Sequence, residues 1–201
     1  QTEAEKYLEA ALKLDSPERR IAAVLPLLAG MSSGEVRHLR AGDVDMKAGK
    51  IWIRGDEDAG MPNPDWDVKT ASRRDVVALP EIVRVDFQAL VPESEPAEYL
   101  FKGTVQHFQP GGKRAKTAAA HNRTWLNGLV HSVCKAAGVR IVSPHGLRGT
   151  HASLLRVLAK QSVAQIGDAL RHADKGVTAR GHYIGAPEER TVLRLVVGGK
   201  E

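Results

Sequence analysis

Apolar residues along this chain recur mostly at helical spacing. In residues 3–13, Tyr7, Leu8, Ala11 and Leu12 fall three and four apart, which predicts an amphipathic helix. Asp15-Ser16-Pro17-Glu18 then supplies a cap, with proline in the first turn of a second helix predicted over 17–30. Ile21 to Leu28 is almost continuously apolar, so this helix is expected to be buried, with Pro26 bending or breaking its ladder before Gly30 ends it. Ser32-Ser33-Gly34-Glu35 has the form of a capping box that opens a short helix closed by Gly42.

The pattern changes at Lys50. Residues 50–54 and 73–79 are β-branched stretches on either side of a Gly, Pro, Asp and Asn-rich segment that holds Trp66, and they predict a small antiparallel sheet. Residues 67–72 read as a middle strand or as the turn before the last one. Helical spacing returns in 81–91, with Ile82, Val83, Val85, Phe87, Leu90 and Val91 as its apolar set. Tyr99-Leu100-Phe101 is a short buried run. Residues 109–116, Gln-Pro-Gly-Gly-Lys-Arg-Ala-Lys, read as a glycine-hinged basic loop, either solvated and mobile or in contact with phosphate. A helix over 121–137 places Trp125, Leu126, Leu129, Val130, Val133 and Cys134 inward and stops at Gly138; others are predicted from Pro144 to about 160 and over 162–171. The apolar tail 192–197 is expected to pack on its own domain or on a neighbour.

Composition narrows the classes. The 201 residues suffice for one substantial core, and Lys plus Arg exceed Asp plus Glu by 29 to 24, a net +5 that leans toward a polyanionic partner. Cys134 is the single cysteine, which excludes a disulfide framework and a cysteine-based metal site and fits a reducing setting. No run approaches the roughly 18 apolar residues of a membrane span. The expectation is a soluble cytoplasmic protein with no membrane partner. Three Phe, three Tyr and three Trp are too few for a single-strand stacking platform, so duplex backbone recognition is the expected mode if DNA is the partner.

Candidate chemistry centres on His145-Gly-Leu-Arg148. Two such residues three apart at a helix start share a face and point at one object, for which an anion is the natural choice: arginine offers a planar fork and histidine a proton near neutral pH. The plainer reading of this pair alone is a solvated helix face.

Context changes that reading. His145-Gly-Leu-Arg148 is followed by Leu170-Arg171-His172 and by Tyr183, eleven residues beyond His172; upstream, Lys69 precedes a strand that ends in Leu79-Pro80. In this order the signals resemble the catalytic domain of tyrosine recombinases, the phage-integrase family, over nearly the whole chain. The resemblance implies an α+β fold, mainly α with a small antiparallel β-sheet, and residues 1–201 as a single catalytic domain. It also implies an N-terminal core-binding domain that closes a clamp on DNA and is absent from this chain.

The family's first box departs here. Aligning Gly30, Glu35, Leu39 and Asp43 leaves Ser32 where the resemblance calls for the first catalytic arginine. Arg37 and Arg40 stand nearby at helix positions that need not face the same way, and neither is expected to replace it. Gly149, where a histidine is common, and Arg171, where a glycine is common, are smaller departures.

By resemblance, Tyr183 is the nucleophile and Arg148 a bidentate phosphate clamp. His172 bonds a non-bridging oxygen, His145 assists proton transfer from the tyrosine, Lys69 protonates the leaving 5′-oxygen, and Glu35 orients its neighbours. His151 and His182 read as structural. Lys113, Arg114, Lys116, Arg73 and Arg171 are the candidate DNA-backbone contacts. No cofactor and no metal are expected. The implied partners are double-stranded DNA and a homotetramer on paired DNA sites, with a monomer in isolation and segment 192–197 docking on a neighbour. The implied function is site-specific DNA strand exchange in a bacterial or phage-encoded protein, impaired at Ser32; the alternatives are a catalytically degenerate DNA-binding relative and, more remotely, an unrelated helical enzyme on small phosphate esters.

Overall fold

The computed structural model describes residues 2–60, 66–68, 75–108, 114–122, 124–157 and 159–170; for residues 104–108 and 114–119, Val163 and Gly167 only the backbone is described. The helices are α1 (Glu3–Leu12), α2 (Pro17–Leu28), α3 (Ser33–Arg37), α4 (Arg84–Leu90), α5 (Trp125–Ala137), α6 (Pro144–Val157) and α7 (Val163–Ala169). The strands are β1 (Val44–Asp45), β2 (Lys50–Ile53), β3 (Asp75–Ala78), β4 (Lys102–Phe108) and β5 (Arg114–Ala120). They form an antiparallel sheet in the order β1-β2-β3 and a separate β4-β5 hairpin.

Helix α2 is the hub of the core. Ile21 to Leu27 are buried on every side because α1, α4, α5 and α6 all pack against it. The helix runs through Pro26 without breaking, and Ala29 N–H still reaches the Leu25 carbonyl at 3.0 Å. Proline removes one ladder bond, a loss that close packing around the whole turn outweighs. Gly30 follows at φ +59°, and a Cβ there would lie 2.6 Å from the His151 ring, so the turn out of α2 requires glycine. His151 faces the Leu27 carbonyl through Nδ1 at 3.0 Å, the structural part expected of it. Cys134 is a buried core thiol.

Several sequence expectations need correction. Strand β2 hydrogen-bonds directly to β1 and β3; of the segment 67–72, read as a middle strand or a turn, only Asp67 and Val68 are described, and they are irregular. Val85 is 75 % exposed because the chain enters α4 through a 3-10 turn at Glu81–Val83, which rotates the apolar stripe away from that position. Arg114 and Lys116 stand on β5 rather than in a loop, and the helix expected from 121 starts at Trp125. The tail 192–197 lies outside the described residues.

The sheet is joined to the helices by a buried charge network. Arg40, 1 % exposed, donates to Asp43 Oδ2 at 3.0 Å and to Asp56 Oδ1. Asp43 Oδ1 accepts Arg54 Nε at 2.6 Å; Asp56, fully buried, also accepts the Trp66 amide at 3.0 Å and the Tyr99 hydroxyl at 3.3 Å. Two cations and two carboxylates thereby cancel where water cannot reach most of them. Asp56→Asn, which strands Arg40 with half its counter-charge, is expected to lower unfolding stability by about 3–5 kcal/mol in urea titrations, and an unchanged midpoint would show that the network is not structural.

Candidate functional site

A cavity of about 550 Å³ opens where four segments meet. Helix α3 contributes its capping turn, Ser32 to Glu35, and Arg37; the irregular stretch Trp66-Asp67-Val68 forms one wall; Thr124 and Asn127 come from the first turn of α5, and Ser143, Pro144 and His145 from the start of α6. Helix starts carry unsatisfied N–H groups and the positive end of the dipole, and the α5 and α6 termini both border this space.

Ser32 caps α3. Its Oγ accepts the Glu35 amide at 3.4 Å, and Glu35 Oε2 accepts the Ser32 amide at 2.7 Å, which is the reciprocal box expected from the sequence. Glu35 is buried, and its Oε2 also receives Arg148 Nη1 at 3.4 Å. It thereby bonds neighbours on both sides.

His145 and Arg148 do not share one object in this structure. His145 is exposed and lines the cavity, whereas Arg148 is 1 % exposed and turns inward. Its Nη1 donates to the Gly30 carbonyl and its Nη2 to the Leu170 carbonyl. Position 148 lies three residues further into the helix, where the face that His145 exposes has rolled against the α2–α3 turn and the end of α7.

The two spare arginines separate cleanly. Arg40 is sealed in the charge network described above and does not line the cavity. Arg37 does line it, and its Nη1 donates to the His121 carbonyl at 2.6 Å, tying the end of α3 to the approach of α5. His121 stacks on Trp125 with ring centroids 3.9 Å apart and sits 3.6 Å from Glu18; burial is the main cause that lowers its pKa.

Trp66, absent from the sequence-based site, is held by His38. The rings stack at 4.3 Å with planes 4° apart, and His38 Nδ1 meets the Gly34 carbonyl at 2.9 Å. A tryptophan just before Lys69 in a Pro and Asp-rich segment was the available signal. Thr124 and Asn127 gave none, since polar residues in a first helical turn are common. Lys69, Arg73, Lys113, Arg171, His172, His182 and Tyr183 lie outside the described residues; Val68 and Leu170, which directly precede Lys69 and Arg171, are both placed against the elements just described.

No known protein-family profile matches the sequence, and no curated protein matches it. Solved structures do. The crystal structure of XerA recombinase superimposes with a TM-score of 0.65 at 21 % identity, over 98 % of this chain and 60 % of that one. The integrase from mycobacterium phage Brujita gives 0.57 at 16 %, over 97 % and 61 %. The Tn1549 transposon integrase in complex with circular intermediate DNA gives 0.61 at 16 %, over 96 % and 64 %. This chain therefore spans about 60 % of the length of these structures. Its fold is the one the sequence resemblance implied, that of the tyrosine recombinase catalytic domain. Among the described residues, no helix is long and apolar enough to cross a membrane.

Burial, the largest cause, pushes His38 down to about 4 from an ordinary 6.5, against the pull of the Gly34 carbonyl. The unfolded chain thus takes up a proton that the folded chain refuses. The contribution of His38 to stability is complete above pH 6.5 and is lost as pH falls toward 4, up to about 3 kcal/mol. In His38→Gln the urea midpoint should fall less steeply with pH across this window; a profile parallel to that of the parent protein would refute the assignment.

Proposed function

We propose that this chain, folded as the catalytic domain of a tyrosine recombinase, cuts and rejoins duplex DNA through a 3′-phosphotyrosine and does so slowly because Ser32 stands in place of an arginine. The observation that carries this reading is the cavity. It gathers Ser32, Glu35, His145 and the residue before Lys69 from segments far apart in sequence, which supports the reading of these residues as one site.

In this reading the Tyr183 hydroxyl attacks the scissile phosphorus and passes its proton toward His145 as the new P–O bond forms. The bond to the 5′-oxygen breaks, and Lys69 protonates that oxygen. A 5′-hydroxyl from another strand reverses the step, displacing the tyrosine. Bond energy is kept in the covalent link, so the exchange draws on no nucleotide or metal. Charge that gathers on the non-bridging oxygens is met by His172 and by Arg148. For Arg148 this requires exchanging a carbonyl partner, Leu170 or Gly30, for a phosphate oxygen. Lys113, Arg114, Lys116, Arg73 and Arg171 hold the flanking backbone. The working assembly is a tetramer on paired DNA sites, with 192–197 docked on a neighbour, and the free chain is a monomer.

Ser32 and the inward set of Arg148 also favour a second reading, a relative that grips DNA without cutting it. Both readings expect retention on duplex DNA to fall steeply between about 50 and 200 mM salt.

The two part on a nicked duplex. Ser32→Arg should raise the yield of Tyr183-linked product by roughly two to three orders of magnitude, and Tyr183→Phe in that background should abolish it. Adduct that does not increase over the parent protein would sink the impairment; no adduct from any variant would leave the second reading standing.

A further inference from the structure

We propose that Trp66 is the positioning residue for Lys69: the indole, seated on helix α3, fixes the root of the lysine that hands a proton to the leaving 5′-oxygen. The inference rests on the strand-exchange reading of this cavity and names what places the general acid within it.

Lys69 is bonded to Val68, which borders the cavity, and residues 66–68 belong to neither a helix nor a strand. A site built on irregular backbone is less precise than one on a helix or strand unless other contacts hold it. A lysine adds a long flexible stem, so the protein controls its ammonium chiefly through the place where that stem begins.

Trp66 is held at its backbone and at its ring. Asp56 Oδ2 accepts the Trp66 amide at 3.0 Å, and the Asp56 amide donates to the Trp66 carbonyl at 2.9 Å. The ring lies flat on His38, with centroids 4.3 Å apart and planes 4° apart. It also meets Gly34 at van der Waals range, since a Cβ built on that glycine would lie 3.6 Å from Trp66 Nε1. Gly34 is in α3 and His38 caps its end, so the helix that carries Glu35 also carries the seat of the indole. Tyr99 stands edge-on to His38 at 5.8 Å and donates its hydroxyl to Asp56 Oδ2 at 3.3 Å, which closes the circuit. Burial lowers His38 to about 4, so the seat is uncharged at neutral pH.

The two residues that follow are set by close packing. A Cβ at Gly55 would overlap the Asp67 carboxylate and come within 3.3 Å of Asp67 Cα, so the exit of β2 can approach the segment only as glycine. Val68 is 5 % exposed and belongs to the main core. The chain is thus fixed at each residue from Trp66 to the bond with Lys69.

The test compares two nicked duplexes of one sequence that differ in a single atom. In the first the bond to be broken joins phosphorus to the ordinary 5′-oxygen. In the second a 5′-sulfur takes that place and leaves as a thiolate, which needs no proton. In both, the Tyr183 oxygen bonds to phosphorus as the bond to the leaving atom breaks. Trp66→Ala should slow formation of the Tyr183-linked product on the oxygen substrate by roughly tenfold to a hundredfold, the cost of a general acid displaced by about 1 Å, and leave the sulfur substrate within about twofold of the parent. Trp66→Phe, which keeps a ring for His38, should recover most of the loss. Lys69→Gln should show the same selectivity, and Trp66→Ala added to it should cost nothing more, because the two residues act through one step. Cutting of the sulfur substrate also shows that each variant is folded. A residue that only filled the wall would slow both substrates alike. That outcome, no loss on either substrate, or an additive loss in the double variant overturns the proposal while the strand-exchange reading stands. Product from neither substrate, in the parent or after Ser32→Arg, overturns both together.

Discussion

A guanidinium sealed from water must find its hydrogen-bond acceptors inside the protein, and Arg148 finds them on segments that are far apart in sequence. Its acceptors are the Gly30 carbonyl, 118 residues away, the Leu170 carbonyl, 22 residues away, and the Glu35 carboxylate. These bonds leave one relative arrangement for the α2–α3 turn, α6 and the end of α7. Because Glu35 Oε2 accepts from Arg148 and from the Ser32 amide alike, the first turn of α3 is set against the first turn of α6. The cavity is the space that this setting leaves between them.

The opposite wall depends on the same principle with other residues. Arg40, Asp43, Arg54 and Asp56 close a buried circuit of charge, and Asp56 extends it to the Trp66 amide while its own amide bonds the Trp66 carbonyl at 2.9 Å. Trp66 then rests flat on His38, with the Tyr99 ring edge-on to that imidazole at 5.8 Å. Polar residues that look like candidate chemistry in the sequence thus divide into those that build the walls and those that line the space. Burial decides between the two, and burial is not written locally.

This accounts for what could and could not be read in advance. Helices α1, α2, α5 and α6 announce themselves through apolar spacing, Pro17 and Gly138, and the Ser32–Glu35 box through its offset, because those signals act within one or two turns. The three boxes of the resemblance led to the fold. Strand β1, two residues long, has no period to detect, and β5 runs through Ala118-Ala119-Ala120, a composition with little strand preference that is a strand because β4 pairs with it. The inward turn of Arg148 and the different fates of Arg37 and Arg40 depend on partners beyond their own helical turns, 16 residues away for Arg40, 22 for Arg148 and 84 for Arg37. Spacing along a helix could place these side chains on a face and could not say what that face meets.

Ser32 shows what such placement entails for substitution at a single position. A serine at an N-cap is worth about 1 kcal/mol to the helix it opens, and an arginine there has no oxygen to offer the Glu35 amide. The position therefore trades rigidity of a short helix against a charge facing the cavity. On the proposed reading of Ser32 as the place of a missing arginine, installing that arginine is uphill in stability unless another part of the fold has margin to spare.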